Sequence, residues 1–421
     1  MKKKSKKITR RTFLKTGLAA GGLGVFGVPA FLHAQPKEVK IGLLAPLTGS
    51  SAYWGQSTFK IFELAAKMAN EEGGIKSMGG AKIRVVVADT ETKPEVAGIQ
   101  AEKLVADKDI LMLTGTNMSA AGMVVSQVAE RSRICFITGT DMVPEITLRG
   151  FQYTYRTCAL WSSLSRDMVY FARDMGEKTG TRVKRMAILC ENSYSGTQVG
   201  ESLAKYGKEV GFEIVDHSTY DAGTTRDFTG YISRYKKADV NFLVGHYRPQ
   251  DAVLITRTTK ELNFNPYASA GIAGGVVMIE FGPLLGKDSN YFLGATGITD
   301  EAKNIPALDK IIPRYKKELN VKTADPSLAG GFGVVPVLRA ALEKSPTYDR
   351  EAFKNAVDKV EVKAGEYNNL QIEGIKWDSH HDNVLCKSFV VQWVDNAMYA
   401  VGPEQYAVRK PVWPRPTWDK I

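Results

Sequence analysis

KIGLL (residues 40–44), IRVVVAD (83–89), ILML (110–113) and ICFIT (134–138) are short apolar, largely β-branched runs. Between them lie three stretches, 57–70, 94–106 and 120–131, whose apolar residues recur at helical spacing. A run of four to eight such residues crosses a buried sheet, and a longer periodic stretch between two runs is the helix that carries the chain back. Gly73 and Gly74 stop the first helix, and Pro94 opens the second. Strand and helix in alternation predict an α/β fold in which a mostly parallel sheet is covered on both faces.

The pattern then restarts. Helices at 164–175, 196–210, 228–237 and 250–262 alternate with strands at 186–190, 213–218, 240–245 and around Tyr267. Two successive doubly wound sheets imply two lobes with a cleft between them, the usual place for a small ligand. The last third reads as a strand at 292–298, helices at 307–319, 328–343 and 351–360, and a strand at 387–394. It does not form a third independent set, so we expect it to be shared, the chain crossing several times in a multi-strand hinge. The expected division is an export signal at 1–34, a first lobe of 37–157 plus 297–365, and a second of 158–296 plus 366–421.

The first 34 residues carry eight Lys and Arg and no acidic residue, then turn apolar and rich in Gly and Ala. Arg10 and Arg11, followed by Phe13, Leu14 and Lys15, resemble a twin-arginine export signal. Cleavage is expected after Ala30 or Ala34, with retention as an uncleaved anchor the lesser alternative. No Cys lies nearby for lipid attachment. Without this segment the net charge of +11 falls to +3, too small a surplus on so long a chain for a nucleic-acid-binding surface. No other apolar run reaches membrane-spanning length.

Catalytic signatures are missing. Gly22, Gly24 and Gly27 form GxGxxG, but inside the apolar leader with no strand before it. GxxxxGK[ST], HExxH and GxSxG do not occur. His380, His381 and Asp382 read as a solvated turn rather than a metal site, and no nucleophile, base and orienting group stand out. Of the four cysteines, Cys135 and Cys190 lie in apolar runs and read as core thiols. Spacing does not choose a disulfide pair among these two, Cys158 and Cys386. No cofactor is expected, and no enzyme activity.

VKIGLLAPLTGSSAYWGQS, AAKMANEEGGI, VVVADTETKPEVA, PEITLRGFQYTYRT, ENSYSGTQVGESLAK and DFTGYISRYKKADVNFLVGHY, in this order, resemble the leucine/isoleucine/valine-binding protein family. Its members are periplasmic substrate-binding proteins of branched-chain amino acid ABC importers. The resemblance implies a type I periplasmic binding protein fold whose lobes close over a ligand. It places the carboxylate-binding Ser at Ser119, which as N-cap of a helix from Ala120 would also suit an anion. Trp54 falls on the aromatic of the first loop, Tyr194 on the Tyr of the second lobe, and His246 or Tyr247 on the following aromatic. Phe332 is either a cleft or a helix-packing residue. Two positions depart from the family. Its Thr after the fourth strand aligns with Met142, with Thr140 or Asp141 one or two residues away. The acidic residue that neutralises the ligand's α-ammonium aligns with Gly271. Either Asp141 supplies that charge, or the ligand has no α-amino group.

The implied role is capture of an amino acid, or a related small carboxylate or amide, in the periplasm and delivery to ABC permease subunits, after passage through the twin-arginine machinery. A ligand sensor of the same fold is the alternative.

Overall fold

In the computed structural model, which describes residues 36–421, the predicted alternation builds a five-stranded, all-parallel sheet. Its elements are β1 (Glu38–Ala45), α1 (Ala52–Glu71), β2 (Lys82–Asp89), α2 (Pro94–Ala106), β3 (Ile110–Gly115), α3 (Ser119–Ser132), β4 (Cys135–Thr138), α4 (Glu145–Leu148) and β5 (Thr154–Arg156). The strand order is β2-β1-β3-β4-β5. Val39, Ile41 and Leu43 of β1 pack on one face with Ile61 and Phe62 of α1. Leu44 and Leu113 pack on the other with Ala97 and Ala101 of α2 and Val125 of α3. Burial on both faces is why these strands read as continuous apolar runs.

The second sheet repeats the plan. α5 (Trp161–Thr179), β6 (Arg185–Glu191), α6 (Tyr194–Glu209), β7 (Glu213–Tyr220), α7 (Thr229–Lys237), β8 (Phe242–Gly245), α8 (Pro249–Glu261), β9 (Ala268–Ile272), α9 (Phe281–Leu285) and β10 (Leu293–Thr296) give the parallel order β7-β6-β8-β9-β10. Both orders reverse direction once, between β1 and β3 and between β6 and β8. Such a switch point opens a crevice at the carboxyl ends of the strands, where ligands of open α/β sheets bind.

The last third is shared, as its pattern suggested. α10 (Leu308–Leu319), α11 (Leu328–Lys344) and α12 (Arg350–Val357) return to the first lobe, where α11 packs against α1. β11 (Glu361–Val362) pairs with β12 (Ile375–Lys376), and β13 (Phe389–Val394), antiparallel to β10, and β14 (Ala397–Gly402), antiparallel to β13, then extend the second sheet. The expected boundary after residue 365 therefore needs correction. Residues 366–376 stay with the first lobe, because β12 pairs with β11 and Asn368 Nδ2 donates to Glu72 Oε1 at 2.9 Å. The segment has no period to read, and only these tertiary bonds assign it. The expected export signal, its twin-arginine pair and the GxGxxG lie outside the described residues. No described helix is long and apolar enough to cross a membrane.

The chain crosses between lobes three times, at 157–160, 297–307 and 377–388. The first and third crossings are joined backbone to backbone: Arg156 N donates to His381 O and Asn383 N to Arg156 O, each at 3.0 Å. The Arg156 side chain, 0 % exposed, clamps Asp382 through Nε at 2.8 Å and Nη2 at 2.9 Å, and donates to Thr147 Oγ1 at 2.6 Å and to Val143 O. His381 stacks on Tyr155, with ring centroids 4.4 Å apart. The His380–Asp382 turn is thus a hinge strut rather than a solvated loop; only His380 of the three is exposed. Cys135 and Cys190 are fully buried in β4 and β6, while Cys158 and Cys386 sit half-buried on the first and third crossings, all four free.

Removing the carboxylate would strand a buried guanidinium. Asp382→Ala should therefore lose about 3 kcal/mol of unfolding free energy, read as a lower urea midpoint, and Asp382→Asn somewhat less.

Candidate functional site

Loops at the carboxyl ends of β1, β3 and β4 form the first wall of the crevice. After β1 the chain turns at Pro46, and Asp89 at the end of β2 holds the turn by accepting from Leu47 N at 2.9 Å and from Thr48 Oγ1 at 2.7 Å. Against the desolvation that raises it, these bonds and one from the Glu91 amide keep the Asp89 carboxyl below its ordinary pKa. Gly55 is required here, since a Cβ would lie 2.2 Å from Pro46 O. Trp54, in the first turn of α1, is half-buried and meets Tyr53 edge to face at 5.9 Å.

Ser119 is not the N-cap that the sequence suggested. The helix starts one residue earlier, with extended Met118 as its cap and Ser119 as its first residue. The loop is tied down by other side chains: Thr116 N donates to Asp141 Oδ2 at 2.8 Å, and Asn117 N to Thr140 Oγ1 at 3.1 Å. The Ser119 hydroxyl makes no hydrogen bond among the described residues and does no capping. It remains beside the first-turn amides of α3, which lack intrahelical acceptors by construction.

Asp141 is committed to the fold. Fully buried, it has Thr116 N and the hydroxyls of Thr116 at 3.0 Å and Thr138 at 2.8 Å around its oxygens. Burial raises its pKa despite those contacts. Both hydroxyls also have a backbone carbonyl within reach, Met118 O and Gly115 O, so each single proton has a choice of acceptor. The Asp141 oxygens are taken up by these donors, so Asp141 is not free to pair with an ammonium. Met142 is half-buried, and its carbonyl accepts from Trp161 N at 3.1 Å across the first crossing.

The second wall comes from the ends of β6, β8 and β9. Ser193 caps α6, accepting from Gly196 N at 3.1 Å and donating to Glu191 Oε1 at 2.8 Å. Tyr194, 43 % exposed, faces Glu145 of the first lobe; burial and that carboxylate raise its pKa. Of the two candidates after β8, His246 turns toward the cleft and Tyr247 into the core. The His246 ring lies edge to face on Trp161 at 4.8 Å, with Nε2 3.8 Å from Glu191 Oε1. Its Nδ1 carries the proton, because its partner at 2.8 Å, Ile272 O, can only accept. Tyr247 is buried, and desolvation pushes its hydroxyl well above the usual pKa.

Gly271 offers no site. It lies within β9, paired to Gly245 of β8 and Gly294 of β10. A Cβ there would sit 2.6 Å from Val276, and one on Gly294 2.4 Å from Val277. Gly271 and Gly294 thereby let the turn at Gly274–Val277 lie directly on the sheet. Phe332, 1 % exposed, belongs to the core of α11. Four residues that sequence reading passed over stand at the crevice instead: Trp161, Glu191, Arg248 and Glu145. Arg248 Nε holds Glu191 Oε2 at 2.7 Å. Only position at a strand end marks Glu191 and Arg248 in the sequence.

A family model described as periplasmic binding protein matches residues 38–397. The chain belongs to the periplasmic binding protein family. Among curated relatives, Leu/Ile/Val-binding protein homolog 7 of Brucella melitensis is 25 % identical over 377 residues, which cover 88 % of this chain and 93 % of the relative. A leucine binding protein from Thermotoga maritima superposes with a TM-score of 0.71 at 20 % identity, covering 86 % of this chain and 97 % of its own. The branched-chain amino acid transporter substrate binding protein of Streptococcus pneumoniae, solved with isoleucine, gives 0.71 at 19 % identity, covering 89 % and 100 %. These structures share the type I periplasmic binding fold in two lobes.

Two substitutions separate an unengaged hydroxyl from the scaffold in this family member. Ser119→Ala should leave the urea midpoint within about 0.5 kcal/mol of the parent, because the hydroxyl caps nothing. Asp141→Ala strands the buried Thr116 amide and should cost about 2 to 3 kcal/mol in the same titration.

Proposed function

We propose that the chain is an extracytoplasmic solute-binding protein that closes its lobes on a small carboxylate-bearing molecule, an amino acid or a related carboxylate or amide, and presents the closed form to the permease of an ABC importer. The observation that carries this reading is the convergence of both switch points on one crevice. Ser119 and the start of α3 offer donors from the first lobe, and Tyr194, His246 and Arg248 stand opposite. Trp54 fits as an aromatic wall. The names of the relatives, Leu/Ile/Val-binding and leucine binding, point the same way. The role is capture and release, with no bond made or broken.

Closure needs contacts that exist only when the lobes are near, and such contacts are present. Tyr194 reaches Glu145, and Tyr53 reaches Glu280 of the second lobe. Ligand bridging the walls raises the closed population by its differential affinity for that state. Delivery to the periplasm by the twin-arginine route, guided by Arg10 and Arg11, completes the proposal.

A thermal-shift screen of the purified mature protein against proteinogenic amino acids, aliphatic and aromatic carboxylates and amides is the direct test. A ligand at 100 times its Kd should add about 2.7 kcal/mol to stability. Small-angle scattering should show a smaller radius of gyration with the same ligand. No stabilisation by any member of the panel would count against the reading. Tyr194→Phe, which removes a half-exposed hydroxyl that faces Glu145 across the cleft, should weaken the selected ligand about threefold, measured by calorimetry.

A further inference from the structure

An α-ammonium closed into this cleft would need a carboxylate, and the two that lie directly at the ends of β4 and β6 are already engaged. Asp141 is enclosed by Thr116 and Thr138. Glu191 gives Oε1 to Ser193 and Oε2 to Arg248. Glu145 and Glu280 each keep one buried oxygen, Oε2, without a partner, but each already faces a tyrosine of the opposite lobe, Tyr194 and Tyr53, and the positive charge of Arg149 lies beside Glu145. At the position of Gly271 the sheet has no room for a side chain.

Donors, by contrast, are in surplus. Trp161 is 9 % exposed, and its indole Nε1 is buried without an acceptor. The residue sits where the lobes meet, its amide bonded to Met142 O of the first wall and its ring against His246 of the second. A buried indole N–H without a partner is uncommon in a folded protein and marks a place where an acceptor belongs. Arg248, its side chain 45 % exposed, uses Nε on Glu191, and no hydrogen bond from its two terminal nitrogens is found among the described residues. On the other side stand the Ser119 hydroxyl and the first-turn amides of α3.

Resting on the binding-protein reading above, we infer that the ligand is a small organic carboxylate without an α-ammonium, with a second oxygen function, oxo, hydroxyl or carboxylate, that accepts from Trp161 Nε1 and Arg248. One pole meets the start of α3, and the other meets the donors of the second lobe. An amino acid of the same skeleton would set its ammonium against a guanidinium and an indole N–H, the carboxylates with an oxygen to spare, Glu145 and Glu280, being turned to Tyr194 and Tyr53 instead.

Matched pairs test this on the mature protein by calorimetry and thermal shift: leucine against 4-methyl-2-oxopentanoate, and phenylalanine against phenylpyruvate. The oxo acid of at least one pair should bind about tenfold or more tightly than its amino acid. Trp161→Phe, which keeps a ring against His246, should weaken that oxo acid about tenfold while leaving the melting temperature of the free protein nearly unchanged. An amino acid that binds as tightly as its oxo partner, the more so if Glu145→Gln or Glu280→Gln abolishes it, overturns the inference and leaves the binding-protein reading standing. Unchanged oxo-acid affinity in Trp161→Phe also overturns it. If neither member of either pair binds and the wider carboxylate panel is equally silent, the carboxylate reading falls, and this inference with it.

Discussion

A guanidinium without access to water holds the crossings in register. Arg156 ends β5, reaches back to Val143 and Thr147 beside α4, and grips Asp382 on the third crossing. The backbone on both sides of that grip is bonded as a short parallel bridge. A charge desolvated to this degree tolerates few geometries, because each donor it leaves unpaired is costly. The two crossings therefore leave the first lobe from a fixed point, and any relative motion of the lobes must be taken up beyond it, in the short stretches before α5 and β13. The placement of both sets of strand ends around one crevice depends on that fixed point.

Within the crevice the acidic groups serve the scaffold and the basic and N–H groups are left for something else. Asp89 fixes the Pro46 turn, Asp141 fixes the loop before α3, and Glu191 is shared between Ser193 and Arg248. The common logic is that a buried carboxylate is most stable where backbone amides and hydroxyls converge, and loop ends at a switch point provide both. Using these three carboxylates in this way leaves Arg248, Trp161 and the start of α3 as donors with capacity to spare.

The fold was legible because period and length are strong signals in buried parallel strands: β1, β3, β4, β6 and β8 all stand close to where apolar runs placed them. Elements set by tertiary pairing were not legible. β5 has three residues, β11 and β12 two each, and none has a period to read. The start of α3 differed by one residue, since Met118 has no capping side chain and only its extended backbone makes it the cap. At the site, alignment placed Trp54, Ser119, Tyr194 and His246 at strand ends, where the topology gathers them. It failed to separate His246 from Tyr247, which the alternation of side chains after β8 sends in opposite directions. It also raised Asp141 as a free charge, because a sequence does not show that three donors converge on one carboxylate.

The glycine row in the second sheet ties ligand chemistry to packing. Gly245, Gly271 and Gly294 stand side by side on β8, β9 and β10, and the Gly274–Val277 turn rests on the floor that Gly271 and Gly294 leave. Gly274 itself, with φ +59, has His246 3.0 Å from where a Cβ would be, and Gly275 has Arg248 O at 2.5 Å. The same close approach that excludes an acidic side chain at Gly271 thus brings His246 and Arg248 up against the turn. An acid at Gly271 would have to lift Val276 and the turn with it, disturbing the two residues that face the cleft. The room for a charged side chain at this position is therefore set by how a turn packs on a sheet, and a single substitution at Gly271 does not create it.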